Sequence, residues 1–148
     1  MKRRGKMKII NADKNDLKEV ANLFKIEYSK SPYNERWTNS TINKKIKKYF
    51  NEDSIFVIKE KNQLVAFIII HEYIWDKGNQ GFIDEIVVSS KHQGKGYGKM
   101  LMNFAENYFK EKGIKVISLM SNTKSKAFKI YQKLNYKEHN FVSMEKRL

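Results

Sequence analysis

A glycine-rich loop between two regular segments constrains the fold of this chain more than any other feature. Residues 82–88 have the pattern of a β-strand, residues 93–98 read Gln-Gly-Lys-Gly-Tyr-Gly, and an amphipathic helical pattern follows directly. Alternate glycines let main-chain amides converge on a ligand, and a helix N-terminus adds unpaired N–H groups and a partial positive charge. The pattern predicts an α/β protein whose strand–loop–helix unit binds a pyrophosphate.

Two common phosphate-binding loops do not fit this pattern. A P-loop ends in Gly-Lys-Ser or Gly-Lys-Thr, whereas here Gly98 and Lys99 are followed by Met100. The dinucleotide fingerprint needs another glycine where Lys99 stands, within an early βαβ unit. The alternative that stays open is that the three glycines serve ordinary turns only.

The rest of the chain alternates between helix and strand patterns. The predicted order is β-α-α-β-β-β-α-β-α-β, which makes a mixed α/β sheet with helices on its faces. The predicted strands are residues 7–11, 55–59, 64–74, 82–88, 116–120 and 141–147, and the predicted helices are residues 15–29, 40–50, the stretch from the glycine loop to 112, and 125–134.

The chain is predicted to form a single domain over residues 1–148, with residues 1–6 as a dispensable basic tail. This length buries a core without disulfides or metals, and the sequence contains neither an internal repeat nor a linker. Asp13 is the predicted cap of the first helix, Ser40 or Thr41 of the second, and Gly113 the residue that ends the third.

Composition narrows the class of protein. The chain has no cysteine and three scattered histidines, so thiolate chemistry is excluded and no metal site is expected. No apolar run approaches the roughly 20 residues that span a bilayer. A cytoplasmic protein without membrane contact is therefore predicted.

The net charge of +14 is concentrated at the start of the chain, where residues 1–50 hold 14 Lys and Arg against 5 Asp and Glu. A basic surface favours polyanions such as nucleic acid or a phosphorylated cofactor. Most of this charge lies far from the glycine loop in the sequence, so one cofactor does not account for it. The simpler interpretation is a solvated surface in a lysine-rich sequence, and nucleic-acid binding is not the favoured prediction.

The glycine loop resembles the coenzyme motif of the GNAT acetyltransferase superfamily, Arg/Gln-x-x-Gly-x-Gly/Ala, through Gln93, Gly96 and Gly98. The resemblance extends to the element order from residue 7 onward. It implies a fold in which two neighbouring parallel strands, residues 82–88 and 116–120, splay apart around the pantetheine arm of acetyl-CoA. Pantetheine amides would then satisfy the exposed main-chain groups of the strands.

A downstream segment is also similar to the family pattern Ala-x-x-x-Tyr-x-x-x-Gly-Phe, through Ala127, Tyr131 and the pair Asn135-Tyr136. Asn135 replaces the family glycine, which asparagine tolerates because it accepts left-handed geometry. Asn122 lies two positions before the place of the family's coenzyme-contacting asparagine. The resemblance and the loop chemistry together imply these coenzyme-binding residues: Val87, Val88, Gln93, Gly94, Lys95, Gly96, Tyr97, Gly98, Lys99 and Asn122.

Acetyl transfer to an amine requires a deprotonated amine, a polarised thioester and a stabilised leaving thiolate. By resemblance Tyr131 faces the coenzyme sulfur, and a phenol, which stays protonated at neutral pH, can donate its proton to the thiolate. The alternative is that Tyr131 belongs to an ordinary buried stripe with Ala127, Phe128 and Leu134.

Asp84 and Glu85 are the candidate bases, on the strand that leads to the glycine loop. Adjacent strand residues point to opposite faces, so one of them is expected to face the cleft, with Glu85 slightly favoured. A β-bulge would reverse that parity. A carboxylate that only binds the cationic acceptor is an equally weighted alternative, and His71 and Glu72 are weaker candidates.

The loop around residues 32–38 is a candidate wall for the acceptor, through Tyr33, Glu35 and Trp37. The rings could enclose an amine-bearing chain and the carboxylate could attract its charge, whereas Trp37 could instead anchor the loop on the core.

The predicted function is an N-acetyltransferase that transfers acetyl from acetyl-CoA to a primary amine of a small molecule or peptide by direct attack in a ternary complex. The competing function is a non-catalytic module that binds acyl-CoA or nucleic acid through its basic N-terminal half; a homodimer and a different short acyl group both stay open.

Overall fold

The computed structural model describes residues 7–52 and 54–148, so the predicted tail at residues 1–6 lies outside the described residues. The five strands are β1 (Ile9–Asn11), β2 (Ile55–Glu60), β3 (Gln63–Trp75), β4 (Gly78–Val88) and β5 (Ile117–Leu119). The four α-helices are α1 (Leu17–Tyr28), α2 (Asn39–Asn51), α3 (Tyr97–Glu111) and α4 (Lys126–Lys133). The predicted fold class, a mixed α/β sheet with helices, is confirmed.

The strands form one sheet in the order β1-β2-β3-β4-β5. Neighbouring strands are antiparallel except for β4 and β5, which are parallel and pair only from Gly81 with Ile117 to Ile83 with Leu119. Strand β4 continues to Val88, and over residues 84–88 the described part of β5 offers it no partner. The two neighbouring parallel strands therefore lose their pairing beyond Ile83, in agreement with the splay that the family resemblance implies.

Helices cover both faces of the sheet, and this explains the continuous apolar run of β3. Residues 64–70 are all buried, because alternate side chains enter two different cores. One core lies under α1 and α2 and includes Phe67 and Ile69. The other lies under α3 and α4 and includes Ile68 and Ile70.

Helix caps follow the local sequence with two corrections. The Asp13 side chain accepts a hydrogen bond from the N–H of Asn15 and, with Asp16, forms a capping box, but the element that it caps is a 3-10 turn, Lys14–Asp16, directly before α1. The cap of α2 is Thr38 rather than the predicted Ser40 or Thr41, because Thr38 is the extended residue and Thr41 completes the capping box three positions later. Gly113 follows α3 with a φ of +75°, the left-handed geometry predicted for it.

The predicted closing strand at residues 141–147 is wrong. This segment has no regular structure, and Phe141, Val142 and Met144 are 84%, 79% and 89% exposed. Alternating hydrophobicity suggests a strand, but a strand is stable only when it pairs and buries one face. Strand β5, the outer strand of the sheet, extends over three residues and is too short to support a seven-residue neighbour.

None of the described helices has the length and apolar character needed to cross a membrane.

Candidate active site

A β-bulge places two adjacent carboxylates on the wall of one cleft. Ile69 pairs with Glu85 and Ile70 pairs with Ile83, so Asp84 is the extra residue on β4. A bulge breaks the alternation of side chains between the two faces of a sheet. Asp84 and Glu85 consequently both line a cleft of about 520 Å³, which differs from the expectation that only one of them faces it.

The cleft opens where β4 and β5 part. The ends of both strands form its floor, α1 and α2 with the loop between them form one side, and α4 forms the other. The cleft is lined by Tyr28, Tyr33, Glu35, Lys45, Tyr49, Phe82, Ile83, Asp84, Glu85, Ile86, Leu119, Met120, Ser121, Asn122, Ala127 and Tyr131.

Asp84 is held from two elements. Its Oδ1 accepts a hydrogen bond from the Tyr49 hydroxyl on α2 at 3.0 Å, and its Oδ2 is hydrogen-bonded to Nδ1 of His71 on β3. His71, a weaker candidate in the sequence, thus contacts the cleft through Asp84. With both oxygens engaged, Asp84 has a fixed orientation.

Glu85 is held by a hydroxyl and an ammonium, and its side chain, at 15% exposed, is about as buried as that of Asp84 at 12%. The Tyr28 hydroxyl donates to Oε2, and Lys45 Nζ lies 3.3 Å from Oε1. Burial raises the pKa of Glu85 above its ordinary value, although the Tyr28 hydrogen bond and the Lys45 charge both oppose that rise. A carboxylate with a raised pKa is a better proton acceptor at neutral pH than an exposed one.

Tyr131, on α4, lines the same cleft as the two carboxylates. Its side chain belongs to the core under α3 and α4 and also lines the cleft, so the buried stripe predicted as an alternative coexists with access to the cleft. Burial, followed by the negative charge of a Tyr33 phenolate or of Glu85, raises the pKa of Tyr131. The phenol is therefore protonated throughout the neutral range and can act as a proton donor.

The glycine loop has the backbone geometry that the sequence predicts. Gly94 and Gly96 have φ values of +77° and +88°, and Gly96 is the N-cap of α3. A Cβ at either glycine would meet nothing within 4 Å, so open space lies in front of the loop. Gln93 ties the loop to the end of β4 by donating from Nε2 to the Val88 carbonyl at 3.1 Å. The result is a helix N-terminus with open space in front of it, where a phosphate group could be placed.

The other predicted coenzyme residues divide into exposed and buried groups. Lys95 and Lys99 are exposed beside the loop. Tyr97 is buried in the core, and its hydroxyl donates to Glu60 at 2.6 Å, so only its main chain can serve a ligand at the loop. Val87 is buried in the core under α1 and α2.

Three further predicted residues lie where β4 meets the cleft and the loop. Val88 packs against the core under α3 and α4, unlike Val87. A Cβ added at Gly98 would lie 3.9 Å from the Val88 side chain. Asn122 lines the cleft, while its Oδ1 accepts the main-chain N–H of Lys124 at 2.9 Å.

Two of the three predicted acceptor-wall residues line the cleft. Tyr33 packs edge-on against Tyr28 with ring centroids 4.9 Å apart, and Glu35 lies close by. The ring of Trp37 packs edge-on against Phe24 at 5.1 Å and its indole N–H donates to Glu35. Trp37 thus anchors the loop on the core and orients the Glu35 carboxylate.

Sequence reasoning missed three cleft residues: Tyr28, Lys45 and Tyr49. The one signal available was spacing, because Lys45 and Tyr49 are four residues apart and share a helix face. In a helix with four lysines nothing in the sequence distinguishes the one that turns inward.

The cleft is locally acidic in a basic chain. It contains the carboxylates of Glu35, Asp84 and Glu85 and the ammonium of Lys45, whereas the whole chain carries +14. A cleft with excess negative charge attracts cations despite a positive surface elsewhere.

Comparison with known proteins agrees with this geometry. The family model described as the acetyltransferase (GNAT) family matches residues 17–136, which include both carboxylates, the glycine loop and Tyr131. A curated relative, an uncharacterized N-acetyltransferase of Methanocaldococcus jannaschii, is 27% identical over 147 residues; the match covers 90% of this chain and 62% of that protein. The chain thus spans less than two thirds of that relative's length.

Solved structures share the fold. A possible acetyltransferase from Clostridium difficile matches with a TM-score of 0.82 at 19% identity, covering 96% of this chain and 97% of that one. An aminoglycoside N-acetyltransferase in complex with CoA matches with a TM-score of 0.78 at 17% identity, covering 99% and 98%. A predicted acetyltransferase from Clostridium acetobutylicum, solved with acetyl-CoA, matches with a TM-score of 0.75 at 16% identity, covering 95% and 96%.

The family match bears out the resemblance seen in the glycine loop and agrees with the predicted enzyme class, an acyltransferase. The structural matches independently support the splayed mixed sheet. Because the family model covers well over half of the sequence, the chain belongs to the acetyltransferase (GNAT) family.

Proposed function

We propose that this chain is an N-acetyltransferase that moves an acetyl group from acetyl-CoA to a primary amine by direct attack in a ternary complex. The observation that carries the proposal is the cleft at the splay of β4 and β5. The lining of the cleft includes a partly buried carboxylate and a buried phenol, Glu85 and Tyr131. These are the proton acceptor and the proton donor that the reaction requires.

The glycine loop is the proposed seat of the coenzyme. Main-chain N–H groups at residues 93–98 and the first turn of α3 would hold the diphosphate, and the open space in front of Gly94 and Gly96 leaves room for it. Pantetheine would then run along residues 84–88 of β4 and use the main-chain groups that β5 leaves unpaired there. This path ends at the cleft that contains Tyr131.

Glu85 is the proposed base. The acceptor ammonium loses a proton to the Glu85 carboxylate, directly or through water, and its nitrogen then attacks the thioester carbonyl carbon. A C–N bond forms, the C–S bond breaks, and the departing thiolate takes a proton from the Tyr131 hydroxyl. The acylated nitrogen then loses its remaining extra proton to the Tyr131 phenolate, directly or through water, which leaves a neutral amide and restores the phenol. Asp84, which Tyr49 and His71 hold in a fixed orientation, orients and attracts the ammonium.

The acceptor is proposed to be a cation at neutral pH, a small molecule or peptide with a primary amine. Support comes from the three carboxylates of the cleft, which outnumber its one lysine. Their concentration in one place offsets the repulsion that a chain of charge +14 exerts on cations.

Thiol release from acetyl-CoA, measured across a panel of mono- and polyamines and short peptides, tests the proposal. Turnover that depends on the amine and falls in Tyr131→Phe is the expected result. If purified, folded protein releases no thiol with any amine but binds DNA or RNA in a salt-sensitive way, the non-catalytic alternative replaces the proposal.

A further inference from the structure

Helix α2 points one of its lysines into the cleft. Lys44, Lys47 and Lys48 are exposed, whereas the side chain of Lys45 is 26% exposed. Its ammonium group lies over three aromatic rings, at 5.8 Å from the ring centroid of Phe24, 5.6 Å from that of Trp37 and 5.4 Å from that of Tyr49.

These three rings form a cage, which we call the ammonium cage, and Glu85 closes it with a carboxylate 3.3 Å from the Lys45 nitrogen. Ring faces and a carboxylate are the groups that recognise an alkylammonium ion, and such attraction is strongest where water is excluded. The site therefore has the composition of a receptor for a primary ammonium, and the chain itself supplies the occupant.

The cage is built before any ligand arrives. Phe24 is fully buried, and Trp37 is fixed by its edge-on contact with Phe24 and its hydrogen bond to Glu35. The hydroxyl of Tyr49 is tied to Asp84. A pre-organised receptor loses little entropy when it binds, so the cage would accept another ammonium if Lys45 were removed.

We propose that Lys45 is a specificity-determining residue: it fills an ammonium subsite of the acceptor cleft and so excludes acceptors that would place a second ammonium there. This inference rests on the proposed function for its consequence in turnover. The cleft is therefore expected to select acceptors with one ammonium near the reacting end. A diamine must displace Lys45 from Glu85 before the cleft can accommodate its second charge.

Two substitutions distinguish the effect of filling the ammonium cage from the effect of the positive charge of Lys45. Lys45→Ala empties the cage, whereas Lys45→Met keeps an unbranched chain of similar length in it, and both remove one positive charge from the cleft. Lys44→Ala, on the exposed side of the same helix, is the matched control. The measurements are binding of n-butylammonium by calorimetry and by thermal shift, and the KM values for butylamine and 1,4-diaminobutane.

The expected result is that Lys45→Ala binds n-butylammonium at least tenfold more tightly than the wild type or Lys45→Met, with a Tm that rises as the ammonium is added. The KM for 1,4-diaminobutane falls at least tenfold relative to that for butylamine in Lys45→Ala only. Lys44→Ala matches the wild type in every measurement.

Equal behaviour of Lys45→Ala and Lys45→Met would overturn the proposal, because charge alone would then explain the effect. Absence of n-butylammonium binding to folded Lys45→Ala would also overturn it; Lys45→Ser serves in its place if the alanine variant does not fold. The binding measurements need no turnover. If no variant acetylates any amine while Lys45→Ala binds n-butylammonium, the proposed function is wrong but the cage is an ammonium site.

Discussion

Two neighbouring carboxylates on β4 have environments that assign them different tasks. Asp84 is hydrogen-bonded through both oxygens, to Tyr49 and His71, and so has a fixed position. Glu85 is held by Tyr28 and Lys45, and burial raises its pKa. Pairs of titratable groups with different environments can separate the roles of base and electrostatic partner. This difference supports the proposal that Glu85 is the base and Asp84 the orienting charge.

Tyr131→Phe tests the proton donor. The substitution keeps the ring in the core and removes only the hydroxyl, so we expect kcat to fall roughly 100-fold, the lower end of the usual contribution of general acid catalysis. The KM for acetyl-CoA should stay within about twofold, since the phenol does not hold the diphosphate. Steady-state thiol release provides the measurement, and an unchanged kcat would remove Tyr131 from the mechanism.

The acidic limb of the pH profile tests Glu85. Because burial raises the pKa of Glu85, its carboxylate becomes protonated, and kcat/KM falls, at a higher pH than for an exposed glutamate. The Lys45 charge favours the ionised carboxylate, so Lys45→Met raises the pKa further and shifts the limb to higher pH. The profile is measured with one acceptor throughout, which cancels the acceptor's own titration.

Lys44→Met is the control for that profile and should leave the limb in place. A Lys45→Met limb that stays at the wild-type pH, or that moves to lower pH, would mean that Glu85 is not the titrating base.

At the scale of elements, β4 is shaped by two local features, the bulge at Asp84 and a close approach at Gly81. A Cβ at Gly81 would lie 2.6 Å from the ring of Phe109, a fully buried residue of α3. Only glycine lets α3 pack this closely on β4 at the point where β4 begins to pair with β5.

Gly81→Ala should destabilise the fold by about 1–3 kcal/mol, the usual cost of overpacking a core. The free energy of unfolding in urea is the measurement. Gly98→Ala is the matched control, since its Cβ would make only an ordinary 3.9 Å contact with Val88, and its stability should be unchanged or slightly higher. Equal stability of wild type and Gly81→Ala would contradict the close packing of α3 on β4.

The glycine loop is the second element-scale test. Gly96 and Gly113 both have positive φ, at +88° and +75°, so alanine at either should cost about 1–2 kcal/mol of stability. Only Gly96→Ala places a methyl group in the open space before the loop, and it should weaken coenzyme A binding at least tenfold in calorimetry. Loss of affinity in both variants alike would indicate a general effect of destabilisation instead.

The sequence predicts these elements well where the determining interactions are local. The helices follow from apolar spacing and from caps such as Asp13, and the loop follows from its glycines. The bulge at Asp84 could not be foreseen, because it depends on the register of β4 against β3 rather than on the residues of β4. The prediction of a closing strand was wrong for the same reason. Alternating apolar and polar residues at 141–147 do not reveal whether a neighbouring strand is available for pairing.

In the candidate site, too, residues that the local sequence indicates differ from residues that only tertiary packing brings in. Tyr131 and Glu85 are candidates in the sequence and both line the cleft, whereas Tyr28 and Lys45 come from helices that bring them to β4 through tertiary packing. Contacts between residues 40 or more positions apart leave no local pattern to detect.

At the scale of the whole molecule, a basic surface surrounds an acidic cleft. The net charge of +14 attracts the phosphates of coenzyme A, and this attraction is screened by salt. The Kd for coenzyme A should therefore rise between 50 and 500 mM NaCl, whereas the Kd for pantetheine, which lacks the phosphates, should change little. Equal salt dependence for both ligands would show that the phosphates do not contribute to binding.

A crystal structure of the chain with coenzyme A would show whether the glycine loop and the cleft form one coenzyme site. We expect the diphosphate on the main-chain amides of residues 93–98, pantetheine along residues 84–88 in the splay between β4 and β5, and the sulfur within hydrogen-bonding reach of the Tyr131 hydroxyl. A coenzyme bound elsewhere, or a sulfur that enters the cleft on the side away from Tyr131, would contradict this expectation.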